Sequence, residues 1–164
     1  MSRATKHSNP YSDMTGIFSK LMNAFLKKNQ RLVPWHASHQ GSFDLVQELL
    51  AKGVQNLDWY RFTSQEGGWS SLMRASGRGH VDIVRTLLGS GAKIDCADNN
   101  GVTSLLIASV EVLGDVKVLL ARGADIYLAE RHGMTHLLFA CQNGHCEIVK
   151  ALLGNGANIH LTNQ

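Results

Sequence analysis

The sequence predicts an all-α repeat solenoid of about four helix-turn-helix units with projecting β-turns, preceded by an amphipathic helix. The first observation is a motif of two leucines, two further residues and a glycine, which recurs four times. The glycines that end these motifs are Gly53, Gly91, Gly123 and Gly156, at spacings of 38, 32 and 33 residues. Self-similarity at such a period is typical of stacked repeats.

The second observation is the apolar pattern that precedes each leucine pair. In the second unit Ile83, Val84, Leu87 and Leu88 recur at the spacing that places them on one stripe of an α-helix. An acidic residue near the start suits the positive end of the helix dipole, and the closing glycine can adopt a left-handed conformation. Each unit therefore contains one amphipathic helix with a defined start and end.

The third observation is a small-residue pair upstream of each amphipathic helix, where a shorter first helix is expected. The pairs are Ala37-Ser38, Ala75-Ser76, Ala108-Ser109 and Ala140-Cys141. Small side chains let two helices approach closely. The polar stretches 95–101 and 126–133 end in glycine and predict projecting turns, which we call fingers. No unit can bury its apolar face alone, so stacking must form the core.

Two segments carry a resemblance to a known family. Residues 68–84 read GWSSLMRASGRGHVDIV, and residues 133–149 read GMTHLLFACQNGHCEIV. Both closely resemble the ankyrin repeat, and the resemblance covers residues 31–164. It implies an ankyrin-repeat domain with repeats one to four at approximately 31–64, 65–97, 98–129 and 130–162, which acts as a protein-protein interaction module or adaptor.

The sequence departs from the family pattern at two places. The Thr-Pro-Leu-His turn of the family reads SSLM, TSLL and THLL in repeats two to four. We therefore expect the usual histidine hydrogen-bonding network to be absent, with Met73, Leu106 and Leu138 packing in its place. Repeat three is one residue short and has Asp115 where the others place an apolar residue, which predicts a locally distorted helix pair.

The ends of the chain need a separate interpretation. Residues 1–12 are expected to form a flexible tail and residues 13–30 a basic amphipathic helix. This helix could cover repeat one, insert into an anionic membrane surface through residues 14–28, or dock in the groove of a partner. Residues 158–164 resemble the opening of another finger, which predicts a fragment, a short isoform or a chain that lacks a partner.

Composition excludes several function classes. Residues 1–34 carry a net charge of +5 and the remainder carries −2, so the repeat body lacks the basic stripe of a specific nucleic-acid binder. The three cysteines and the lack of a secretory signal predict a cytoplasmic or nuclear location, and we expect a monomer. No phosphate loop, nucleophile motif or metal-ligand spacing is present, and the acidic residues fall mostly at solvent-facing positions. We therefore expect no enzyme, no cofactor and no metal.

Partners of the family usually bind the concave face made by the finger tips and first helices. A longer loop within 54–67 predicts an enlarged finger between repeats one and two. The resemblance places the candidate contact residues on the concave face, together with two residues of this finger: Trp69, Arg78, Asn99, Asn100, Val102, Arg131, His132, Met134, Gln142 and Asn143, with Tyr60 and Arg61. Trp69 is the strongest candidate because tryptophan is favoured at binding hot spots. Its alternative role is to pack against the enlarged finger.

Arg78 and Arg131 could select an acidic or phosphorylated partner, or could be ordinary solvated charges. Two other function classes stay open. The protein could be a peripheral membrane tether that uses the helix at 14–28, with the repeats presenting cargo. It could also bind a small molecule or nucleotide around Trp69 and Arg78, although the sequence indicates no enclosed pocket there.

Overall fold

A computed structural model of the chain describes residues 33–54, 57–58, 68–110 and 112–159. All of them belong to the compact unit Arg31–Gln164. The tail and amphipathic helix predicted at 1–30, and most of the enlarged finger with Tyr60 and Arg61, lie outside the described residues. The fold below therefore concerns the repeat region alone.

The described residues form eight α-helices in four consecutive pairs. The helices are α1 (Val33–Gln40), α2 (Phe43–Ala51), α3 (Ser71–Arg78), α4 (Val81–Gly89), α5 (Ser104–Ala108), α6 (Leu113–Ala121), α7 (His136–Gln142) and α8 (Cys146–Gly154). The first helices α1, α3, α5 and α7 contact one another in series, and so do the second helices. This two-layer stack confirms the predicted all-α solenoid.

Hydroxyl side chains begin the first helices of repeats two, three and four. The cap oxygen accepts the backbone N–H three residues further on: Ser70 from Met73 at 3.2 Å, Thr103 from Leu106 at 3.3 Å and Thr135 from Leu138 at 3.3 Å. Such a cap satisfies one of the unpaired N–H groups at a helix start. In repeat two the sulfur of Met73 also accepts the N–H of Ser70 at 3.4 Å, so methionine takes part in the cap.

A glycine in the left-handed conformation joins the two helices in every described repeat except repeat three. Gly41, Gly79 and Gly144 have φ angles of 73°, 71° and 74°. Repeat three lacks the corresponding residue, and its first helix has 5 residues, against 8 in repeat two and 7 in repeat four. The predicted distortion of this helix pair is confirmed as a shortened first helix.

Small residues form the contacts within the helix layer, as expected, with one exception. Ala37, Ala75, Ala108 and Ala140 are fully buried, and so are the serines that follow the first three. Cys141 was predicted to occupy the same kind of position but is exposed. Each of the earlier repeats is followed by another repeat in the stack, whereas no described helix follows repeat four.

The second helices supply the larger apolar side chains of the core. Ile83 in α4 and Ile148 in α8 are each 2% exposed, and Asp115 holds the equivalent position in α6. Asp115 is fully buried, and neither of its carboxylate oxygens has a hydrogen-bond partner within the described residues. Asp115 thus occupies the apolar position at which the sequence places it, as an exception among acidic residues that fall mostly at solvent-facing positions. Burial raises the pKa of the Asp115 carboxyl group to about 7.

A histidine joins repeats three and four, which the sequence interpretation did not foresee. His136 lies two positions before the family's histidine position and is 1% exposed. Its Nδ1 lies 3.1 Å from the carbonyl oxygen of Ile126, and its Nε2 lies 3.3 Å from Oγ1 of Thr103. Burial lowers the pKa of this ring, so the neutral form donates from Nδ1 and accepts at Nε2.

Candidate protein-interaction surface

The first helices and the finger tips at 98–101 and 130–133 form one surface, which we call the inner surface. Two acidic residues fix the shape of the tips. Asp98 Oδ1 accepts the N–H groups of Asn100 and Val102 at 2.8 and 2.9 Å. Glu130 Oε1 likewise accepts the N–H groups of His132 and Met134 at 2.8 and 3.3 Å. Each carboxylate therefore holds its turn closed from within.

Glu130 is further engaged by the neighbouring ring. Its Oε2 lies 2.9 Å from Nδ1 of His132, and its side chain is only 8% exposed, whereas that of His132 is 81% exposed. Partial burial raises the pKa of Glu130, but the hydrogen bonds from the His132 ring and from two backbone N–H groups outweigh it and leave the pKa below its usual value. The finger tip therefore exposes the ring of His132 and buries the carboxylate of Glu130.

Neighbouring fingers are joined to each other. The N–H of Arg131 donates to the carbonyl oxygen of Asn100 at 2.7 Å. Gly101 has a φ of +80°, and a Cβ there would lie 3.3 Å from the carbonyl oxygen of Ala129, so glycine allows this approach. The bases of the fingers are also linked, with Asp58 Oδ1 accepting the N–H of Lys93 at 2.9 Å and Asp95 Oδ1 that of Asp125 at 3.0 Å.

Two tryptophans enclose an arginine where repeats one and two meet. The guanidinium carbon of Arg74 lies 4.5 Å from the ring centroid of Trp35 and 4.6 Å from that of Trp69. Arg74 is 8% exposed, and both indoles are half-buried. A cation held over aromatic faces in this way stabilises the contact between α1 and α3. Trp69 therefore has a structural contact and also keeps part of its surface accessible.

The chain can now be compared with known proteins. A profile of the family described as ankyrin repeats in three copies matches residues 12–98, 34–130 and 91–163. The chain belongs to the ankyrin-repeat family.

Its relatives include much longer ankyrin-repeat proteins. The human 2-5A-dependent ribonuclease is 33% identical over 112 residues, which are 68% of this chain and 14% of the relative. The platypus (Ornithorhynchus anatinus) ankyrin repeat, SAM and basic leucine zipper domain-containing protein 1 is 32% identical over 141 residues, 83% of this chain and 29% of the relative. The chain thus spans less than a third of either relative, and the similarity concerns the ankyrin region.

Ankyrin repeats are generally protein-protein interaction modules, which directs attention to the exposed residues of the inner surface. Of the predicted contact residues, seven are exposed: Arg78, Asn99, Asn100, Arg131, His132, Gln142 and Asn143. Three are half-buried: Trp69, Val102 and Met134. Tyr60 and Arg61 lie outside the described residues.

Several of these residues lie side by side across the ankyrin repeats. Nη2 of Arg78 lies 3.2 Å from Nε2 of His39, which joins the ends of α3 and α1. In repeat four Nε2 of Gln142 lies 3.9 Å from the sulfur of Met134, so helix and finger meet. The amide of Asn143 donates to the carbonyl oxygen of Phe139 at 2.8 Å and helps to close α7. Asn143 is therefore exposed but tied to its own helix.

Sequence interpretation missed four residues of this surface: Trp35, His39, Arg74 and Ile107. Ile107 is half-buried, and a Cβ built on Gly77 would lie 3.0 Å from its Cγ2, which brings repeats two and three into close contact. The ankyrin register could have indicated Trp35, which aligns with Met73 of repeat two. Nothing in the sequence indicated the pairing of Trp35 with Arg74.

Two further observations concern metal binding and membrane spanning. Within the described part of the chain, no three histidine, cysteine, aspartate or glutamate side chains come together in a group able to hold a metal ion. None of the helices described above is long and apolar enough to cross a bilayer.

Proposed function

We propose that this ankyrin array is a non-catalytic adaptor that binds a partner protein on its inner surface, with Trp69 as the central contact. One observation carries the proposal: predicted contact residues of repeats two to four are linked in pairs along the inner surface, together with Gly77 and with His39 and Ile107, which were not predicted. The links run from His39 to Arg78, from Gly77 to Ile107, from Asn100 to Arg131 and from Met134 to Gln142.

Rigidity of the inner surface supports a binding role. The finger tips are held by bonds from Asp98 and Glu130, and the Trp69 ring rests on Arg74, so little order has to be gained when a partner binds. Tryptophan and arginine are the residue types most enriched at hot spots. A half-buried Trp69 beside an exposed Arg78 therefore provides a preorganised anchor.

The number of cysteines supports a reducing compartment for this adaptor. Cys96, Cys141 and Cys146 are free thiols in the structure, and stable disulfides belong to oxidising compartments. The proposed location is the cytoplasm or nucleus.

The proposal can be tested with affinity capture from cell extract, followed by purification of the retained protein and direct binding measurements. The Trp69→Ala/Arg131→Ala double variant should lose the partner, with a drop in affinity of about a hundredfold or more if both residues are hot spots. A matched control is Arg85→Ala/Arg122→Ala, because both arginines are exposed and lie on α4 and directly after α6, away from the inner surface.

Stability must be measured in parallel because Trp69 contacts Arg74. Trp69→Phe keeps an aromatic face over the guanidinium and should retain most of the thermal stability, while reducing partner affinity. Equal affinity of the partner for the intact chain and for the double variant would contradict binding on the inner surface. A loss of folding in Trp69→Phe would identify Trp69 as a structural residue only.

A further inference from the structure

Acidic residues are unevenly distributed between the two helix layers. The first helices, which line the inner surface, contain no aspartate or glutamate, and their charged side chains are those of the buried Arg74 and the exposed Arg78. The second helices carry acids as well as bases, and some of these form pairs, such as Lys52 with Glu48 and Lys150 with Glu147. The first helices therefore carry positive and no negative side chains, whereas the second helices have mixed charge.

The carboxylates of the two finger-tip acids are bound within their own turns. Asp98 and Glu130 each accept two backbone N–H groups through one oxygen, and Glu130 also bonds the ring of His132. The groups exposed at the tips are instead the side chains of Asn99, Asn100, Arg131 and His132. Within the described residues, the tips thus present hydrogen-bond donors and positive charge.

Arg78 and Arg131 are placed to recognise carboxylates. Both are exposed, and each guanidinium has five N–H donors in a planar arrangement that fits a carboxylate through two parallel bonds. Arg78 is oriented by its contact with His39, and the backbone of Arg131 is fixed by its bond to Asn100. The half-buried side chains of Trp69 and Ile107 offer apolar surface on the same inner surface.

We infer that the partner presents an acidic peptide segment to the inner surface, with aspartate or glutamate residues interspersed with apolar side chains. This inference rests on the proposed function and deepens it. Arg78 and Arg131 belong to repeats two and four, so they fit carboxylates spread along a segment. A phosphate group is best bound by several cations at one point, and the described residues place only single arginines at these positions.

A random peptide library selected on the intact chain tests the inference directly. The expected result is an excess of aspartate and glutamate in the selected peptides relative to the unselected library. Binding of a selected peptide should weaken as salt rises, and its affinity should fall by at least about tenfold in Arg78→Glu/Arg131→Glu, since two charge-assisted contacts are replaced by like-charge repulsion. Arg85→Glu/Arg122→Glu is the matched control and should bind with nearly unchanged affinity.

The outcomes separate the inference from the proposed function. Selected peptides that require Trp69 but show no excess of acidic residues would overturn the inference and leave the proposed function intact. Peptides that bind Trp69→Ala/Arg131→Ala as well as the intact chain, or a selection without any specific binder, would count against both. Tighter binding of a phosphorylated version of a selected peptide than of its aspartate or glutamate version would overturn the choice of carboxylates.

Discussion

Repeat three and its two neighbours are built on the same plan but differ in how they are stabilised. Repeats two and four have first helices of 8 and 7 residues, a left-handed glycine before the second helix, and a buried isoleucine at positions 83 and 148. Repeat three has a first helix of 5 residues, lacks that glycine and buries Asp115 instead. The comparison shows that one repeat can depart from the pattern on three counts and keep its place in the stack.

The largest of these departures is the buried acid. The pKa of Asp115 rises from 3.8 to about 7, a difference of about 3 units. At about 1.4 kcal/mol per unit, this corresponds to roughly 4 kcal/mol of lost stability above neutral pH. A whole domain is commonly stabilised by only about 5–15 kcal/mol, so the penalty is large.

Interfaces with repeat four compensate in part for the weak interior of repeat three. Thr103 bonds the ring of His136, the carbonyl group of Asn100 accepts the N–H of Arg131, and Asp95 accepts the N–H of Asp125. In a solenoid the total stability is approximately the sum of the repeat and interface contributions. Repeat three is therefore held by contacts within its own helix pair and by these bonds to repeat four.

The largest effect is expected from making repeat three like its neighbours. Asp115→Ile should raise the free energy of unfolding by roughly 4 kcal/mol at pH 7.5, because it removes a buried carboxylate and adds apolar burial. Urea denaturation measures the change. Asp115→Val is a second variant with a smaller side chain, in case isoleucine overpacks the site. Asp82→Ile, at an exposed acid of α4, should alter stability by less than about 1 kcal/mol. No gain in either Asp115 variant would show that this acid is not the weak point.

The second prediction concerns the pH dependence of stability. Below pH 3.8 the carboxyl group of Asp115 is protonated in the folded and unfolded chains alike, whereas between about pH 4 and 7 only the unfolded chain releases the proton. The free energy of unfolding therefore falls as pH rises over this range, and Asp115 causes no further change above it.

Unfolding of the intact chain and of Asp115→Asn, measured from pH 4 to 8, isolates the contribution of Asp115. The variant should gain stability relative to the intact chain as pH rises, by up to roughly 4 kcal/mol near pH 7. His136, whose pKa is lowered, acts in the opposite direction below pH 6.5, but it is present in both proteins and cancels in the difference. Parallel stability curves for the two proteins would contradict the assignment.

The smallest effect distinguishes two equivalent helix caps. Thr103→Val and Thr135→Val each remove a cap hydroxyl, which costs about 1 kcal/mol. Thr103→Val also leaves Nε2 of buried His136 without a partner, for a total loss of about 2 kcal/mol. Thermal or urea unfolding of both variants measures the difference. Equal losses would show that the bond between Thr103 and His136 contributes little to the interface of repeats three and four.

Much of the fold could be predicted from sequence because local patterns determine it. The stripe that includes Ile83 and Leu87 and the glycine turns lie within one repeat, and the structure confirms the helices they indicate. The shortened helix of repeat three follows from a missing residue. Nearby sequence determines each helix and turn, and comparison of the repeats reveals the period and the missing residue.

Contacts between repeats were harder to predict. Trp35 and Arg74 lie in neighbouring repeats and are far apart in sequence. The contact of Arg74 with both indole rings also depends on the side-chain direction of Trp69. His136 does not stand at the family's histidine position, and its role becomes clear only from its contacts with Ile126 and Thr103. The turn-closing role of Asp98 and Glu130 depends on where their oxygens point. Such details depend on rotamers and stacking, which periodicity does not encode.

The bond between neighbouring finger tips has a consequence for how this protein can evolve. It joins the N–H of Arg131 to the carbonyl oxygen of Asn100, two groups that almost every amino acid supplies. Side chains at both positions can therefore be exchanged while the two finger tips keep their spacing. Proline at position 131 is the exception because it lacks the N–H. Mutation can thus try new contact residues at these tips without breaking the bond that sets their spacing.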